Sequence, residues 1–200
     1  MKSKYNKESV LTDKLNCFFE EEFSLPASNY YSNLSVDGFL NLKSILSDIN
    51  NIFTMKVSIA FIHWLSDIYS LNETVTNTLL SELLETKPNT NGFDIETSNQ
   101  QLNVIAEVKC NVPINGGSIY GSAQRLGIEK DINSLINGKN KSKIDITNCF
   151  KFMVFLDKPE IRSATYHFVS NSKNKDNITF FESESMPLDR QKIYIVFVSF

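Results

Sequence analysis

Apolar residues recur at three- and four-residue steps through the first half of the chain and at two-residue steps or in unbroken runs through the second. Phe39, Leu42, Ile45 and Leu46 give "VDGFLNLKSILSDI" (36–49) a helical period. "TMKVSIAFIHWLSDIYSL" (54–71) is the strongest helix, with Val57, Phe61, Trp64 and Ile68 as its stripe, flanked by Ala60 and Leu65. A third helix is predicted over about 73–85, with Val75, Leu79, Leu80, Leu83 and Leu84 inward. Pro88, Asn91 and Gly92 then break it. Strands are predicted over 93–97, 103–110, 149–156, about 165–170, and 192–200. The third and last of these are apolar on both faces, as central strands covered on both sides are. A Gly-rich loop and a helix ending at Gly138 separate the second strand from the third.

Helix, strand, strand, helix, strand predicts an α/β core with a mixed β-sheet flanked by helices. Residues 1–72 read as a helical N-terminal region packed on a core of residues 73–200, in one compact domain overall. At 42% hydrophobic and 22% charged residues, the 200-residue chain can bury a sizeable core. The net charge of −3 excludes a uniformly basic protein but allows a local basic cleft. Cys17, Cys110 and Cys149 lack metal or redox spacing and read as free buried thiols in a reducing compartment. No signal peptide and no apolar run of ~18 residues is expected, so the reading is cytoplasmic with no membrane partner. No Walker loop, Rossmann glycine pattern, G-x-S-x-G or zinc spacing occurs, so no nucleotide cofactor is expected.

"GFDIETSNQQLNVIAEVKC" (92–110) breaks the apolar rule. Side chains alternate along a strand, so Ile105, Glu107 and Lys109 share one face, and Asp94 and Glu96 share a face of the strand before. Paired as a hairpin, the two strands set Asp94 beside Glu107. Two carboxylates that close repel unless a cation neutralises them. Hard oxygen ligands with room for water suit Mg²⁺. A neighbouring lysine can orient or deprotonate a water, and can stabilise negative charge building on phosphorus. A surface salt bridge is the bland reading of "ExK". "Glu85-Thr86-Lys87" shows the tripeptide recurring by chance at a helix end.

"GFD…EVK" resembles the PD-(D/E)XK nuclease superfamily, with the restriction-endonuclease-like fold, over about residues 75–156. Phe93 stands where many members have Pro. The resemblance implies that Asp94 and Glu107 bind Mg²⁺, with Mn²⁺ able to substitute, and with Val108 and a helix glutamate, Glu82, as further ligands. It implies that Lys109 works on the attacking water and that Gln124 completes the site. The activity implied is endonucleolytic hydrolysis of DNA to a 5′-phosphate and a 3′-hydroxyl. A small type II restriction endonuclease acting as a homodimer fits best, since no helicase or methyltransferase motif is fused to it. Arg125, Lys130, Lys139, Lys141 and Lys143, with Lys151, would form a phosphate-backbone track on double-stranded DNA, against an ordinary solvated face. Three rival readings stay open: a structure-selective or repair nuclease of the superfamily, an inactive nucleic-acid-binding module, and an unrelated α/β protein. His63 and His167, the latter on a predicted strand, are given no catalytic role.

Overall fold

A computed structural model describes residues 5–87, 92–98, 102–114 and 117–200. Pro88, Asn91 and Gly116 lie outside the described residues. The chain divides into two compact units, Met1–Ile49 and Asn50–Phe200.

The first unit is helical. Helix α1 (Lys7–Phe23) starts at Asn6, whose side chain accepts from the Ser9 amide. A single turn, α2 (Tyr30–Asn33), is capped in the same way by Asn29. Phe19 packs on Tyr30, and Tyr31 on Phe39. None of this unit's described residues is buried.

Helix α3 (Val36–Tyr69) is continuous where the pattern predicts two helices. Asn50 and Asn51 lower helix propensity without breaking the backbone as Gly or Pro would. By length and composition α3 is apolar enough to cross a membrane, contrary to the expectation that no run reaches that length. Its Val57, Phe61, Ile62 and Leu65 are buried in protein. The buried stripe is thus turned toward Ile62 and Leu65, leaving Trp64 partly buried.

The second unit carries the sheet. After α4 (Glu73–Glu85) come β1 (Ile95–Ser98), β2 (Asn103–Lys109), α5 (Ser122–Asn137), β3 (Phe150–Leu156), α6 (Pro159–Asn171), β4 (Ile178–Phe180) and β5 (Ile193–Val198). The strand order is β1-β2-β3-β5-β4. The β1–β2 pair is antiparallel and the others are parallel, so the fold is mixed α/β with a mostly parallel five-stranded sheet. On α4, Leu79 is buried, but Leu84 is exposed rather than inward.

The strand predicted at about 165–170 is part of α6. Parallel β3 and β5 need a crossover, and a helix supplies it. Pro159 opens that helix at its first turn, where a missing N–H costs nothing. Ile161, Ala164, Thr165, Phe168 and Val169 are then buried at helical spacing. This period overrides the β-propensity of "TYHFV", and β4 follows where no strand was predicted. The core runs through both faces of the sheet: Val104 to Val108 are all buried on β2, as are Phe152 to Leu156 on β3.

Candidate metal and active site

The register of the hairpin builds the site. Ile95 pairs with Ala106, so one step outward Asp94 faces Glu107. Asp94 lies in the bend just before β1 rather than within the strand. There its Oδ2 accepts a hydrogen bond from the Val108 amide at 2.7 Å, extending the hairpin ladder through a side chain. A strand residue's N–H and C=O face the same neighbouring strand, so the Val108 carbonyl is turned to Asp94's side.

Glu107 is buried, with 3% exposure, on a strand whose neighbours are apolar. Burial, then repulsion from Asp94, push its carboxyl up from 4.5 to about 7, although the Lys139 ammonium opposes them. Lys139 reaches Glu107 Oε1 at 2.5 Å. The pair is a charge-assisted contact, and the hydrogen bond from Lys139 acts to lower the Glu107 carboxyl. Lys139 also donates to the Gly92 carbonyl at 2.7 Å and stands 5.0 Å from the centre of the Phe93 ring.

Lys109 pairs with Asp131 of α5. Burial pulls its ammonium down, but Asp131, followed by Asp94 and Glu107, outweighs that and carries it above its ordinary value. Lys109 therefore holds its proton firmly. Asp131 escaped the sequence reading. Its signal was positional: it sits against the buried stripe Ile128, Ile132 and Leu135, on the side of α5 that meets the sheet.

A cleft of about 350 Å³ opens beside Asp94, lined among others by Glu82, Glu96, Lys141, Ile62 and Leu79. Glu82 is thus brought to Asp94's cleft but is itself exposed. Glu96 accepts from the Ser142 hydroxyl at 2.9 Å, which accounts for it without a ligand role.

Gln124 caps α5. Its Oε1 accepts from the Gly121 amide at 3.0 Å and its Nε2 donates to the Val112 carbonyl at 2.8 Å, so both ends are engaged in holding the loop that follows β2. Arg125, Lys130, Lys141 and Lys143 are exposed. Lys139 belongs to the carboxylate site. Lys151 is buried and donates to the Arg190 carbonyl, so it is no part of a solvated track. His63 and His167 are exposed, His167 on α6 rather than on a strand. Cys17 is exposed, contrary to a uniformly buried set; Cys149 is buried and Cys110 half-buried.

Comparisons with known protein families, with curated proteins and with solved structures each return no match.

Among the described residues no three His, Cys, Asp or Glu side chains converge on one point. Asp94, Glu107 and the Val108 carbonyl are the donors that could hold a cation. That set fits Mg²⁺, which binds through one or two carboxylates and keeps several waters. It contains none of the Cys or His donors that dominate Zn²⁺ sites. The buried Oε1 of Glu107 has the Lys139 ammonium against it, so a positive charge already sits at that oxygen.

Proposed function

We propose that this protein is a Mg²⁺-dependent endonuclease that hydrolyses DNA phosphodiester bonds, built on a restriction-endonuclease-like core and acting as a type II restriction enzyme. The observation that carries the reading is the Asp94–Glu107 pair. Its members face each other across a hairpin, on the strand that also presents Lys109. The pair is close enough that Asp94 helps drive Glu107 toward protonation.

Asp94, Glu107 and the Val108 carbonyl would hold the Mg²⁺. When bound, the ion polarises the phosphate and lowers the pKa of its own water. The chain's residues do the rest. The Val108 amide fixes the Asp94 carboxylate through Oδ2. Lys109, kept protonated by Asp131, sets a fixed positive charge two residues from Glu107, where it can orient a water and stabilise charge growing on the phosphate. In this reading Lys109 acts as a cation and hydrogen-bond donor toward the attacking water. Gln124 contributes by holding the Val112 carbonyl and so the loop that leaves β2. Arg125, Lys130, Lys141 and Lys143 are free to meet the DNA backbone, and such binding weakens steeply with salt.

The test is cleavage of mixed plasmid and genomic DNA with Mg²⁺ or with EDTA, beside Asp94→Ala and Lys109→Ala. The expected result is Mg²⁺-dependent cleavage by the native chain alone, as discrete bands. A smear would replace the restriction-enzyme assignment with a non-specific nuclease. No metal-dependent cleavage of any DNA would sink the reading.

A further inference from the structure

The site already contains a cation. Lys139 follows Gly138, whose φ of +86° ends α5 in a conformation that L-residues rarely adopt. That turn brings Lys139 back over the hairpin. Its ammonium then has three partners, all from the segments that carry the candidate ligands: Glu107 Oε1, the Gly92 carbonyl and the face of Phe93. A carboxylate, a carbonyl and a ring face make a cradle for a single positive charge.

Two further observations make this ammonium the exchangeable one. Lys109, the other ammonium of the site, is tied to Asp131 on α5. Lys139 instead pairs with Glu107 itself, at the oxygen a divalent cation would take, so a cation bound there replaces that contact. The charges agree. Asp94, Glu107 and Asp131 face Lys109 and Lys139, which leaves an excess of negative charge that a divalent ion in place of a monovalent one would remove.

We propose that Lys139 is the resident counter-ion of the Asp94–Glu107 site and that a divalent cation binds there by displacing it. This rests on reading the site as a divalent-cation site. Lys139 keeps the Glu107 carboxylate in position in the metal-free protein, and it competes with the metal for the same oxygen. Metal affinity is therefore set partly by a side chain that is not a ligand.

The experiment measures binding, not cleavage. The full chain, stripped of metal, is titrated with Mn²⁺ near pH 8 and free Mn²⁺ is followed by electron paramagnetic resonance. Lys139→Met and Lys139→Gln are compared with the native chain, and circular dichroism checks that each is folded. Removing the competitor should tighten Mn²⁺ binding roughly 5- to 30-fold, the factor that one or two kcal/mol produces. In the native chain, the Lys139 ammonium signal in a ¹⁵N spectrum, identified by its loss in the variants, should shift as diamagnetic Mg²⁺ is added. That second measurement decides the matter even if only one of the two variants folds. Equal or weaker Mn²⁺ binding by folded variants would overturn the counter-ion role, as would a Lys139 signal unmoved at saturating Mg²⁺. The nuclease reading would survive either result. Absence of Mn²⁺ binding in native chain and variants alike would overturn both.

Discussion

Glu107→Gln should make the α/β unit more stable near pH 8 while leaving it almost unchanged near pH 4. The Glu107 carboxyl is carried from 4.5 to about 7 on folding, first by burial and then by Asp94. Between those values the folded chain keeps a proton that the unfolded chain releases. Stability from this group is therefore complete below 4.5, falls as pH rises through the interval, and is lost above about 7. Each pH unit of displacement is worth about 1.4 kcal/mol, so the ionised carboxylate costs about 3 kcal/mol near pH 8. Glutamine keeps the shape and stays neutral at every pH, so the variant escapes most of that cost.

For a unit of this size about 1 kcal/mol moves the melting temperature by roughly 2–4 °C, which predicts a rise of roughly 5–10 °C. The assay is thermal unfolding by circular dichroism in EDTA near pH 4, 6 and 8, read as the difference between variant and native so that other carboxylates cancel. The difference should open between pH 4 and 8. Native and variant melting within about 1 °C of each other near pH 8 would refute the burial argument, as would a less stable variant. The same substitution should remove metal-dependent cleavage, which makes Glu107 a group that destabilises its fold at neutral pH.

Two glycines should respond in opposite directions. Gly138 holds φ +86° with ψ 170°, a region essentially closed to residues with a Cβ, although the nearest atom to an added Cβ, on Ile146, is an ordinary 3.6 Å away. Gly138→Ala should cost about 1–3 kcal/mol in denaturant unfolding through backbone strain alone, and should detach Lys139 from Glu107. Gly127 lies inside the unbroken helix α5 with no atom within 4 Å of an added Cβ. Gly127→Ala should therefore gain about 0.5–1 kcal/mol in the same measurement.

The parts of the fold read correctly from sequence are those where local pattern and tertiary demand agree. α4 and α5 have clear stripes and stops, and β2, β3 and β5 are apolar runs of strand length. Where the two disagree, the tertiary demand wins. "TYHFV" has strand propensity, but parallel β3 and β5 require a crossover between them, and α6 meets that need. The boundary predicted between 49 and 54 fails for a related reason: nothing there prohibits helix, so α3 continues. In the site, Asp94 facing Glu107 follows from hairpin register alone and was legible. The Asp131–Lys109 and Lys139–Glu107 pairs join residues 22 and 32 positions apart. They depend on the angle at which α5 crosses the sheet and on the turn at Gly138, neither of which a periodicity expresses. The resemblance implies a site role for Gln124, whereas its amide is engaged at the helix start and with the Val112 carbonyl.

The same pairs bear on why charge is kept inside this strand at all. Buried ion pairs are poor stabilisers, because desolvation offsets their attraction and apolar groups of similar volume do as well or better. Here Glu107 disfavours the folded state at neutral pH even with Lys139 against it. Apolar side chains at 107 and 139 would therefore give a more stable sheet. What they could not provide is an oxygen on a rigid central strand, fixed by register against a second carboxylate and held away from bulk water. Such a position strengthens every electrostatic interaction made there, which is of use to chemistry in which negative charge builds up and of none to folding. The destabilising burial of Glu107, more than the tripeptide that contains it, separates this site from the exposed Glu85 and Lys87 at the end of α4.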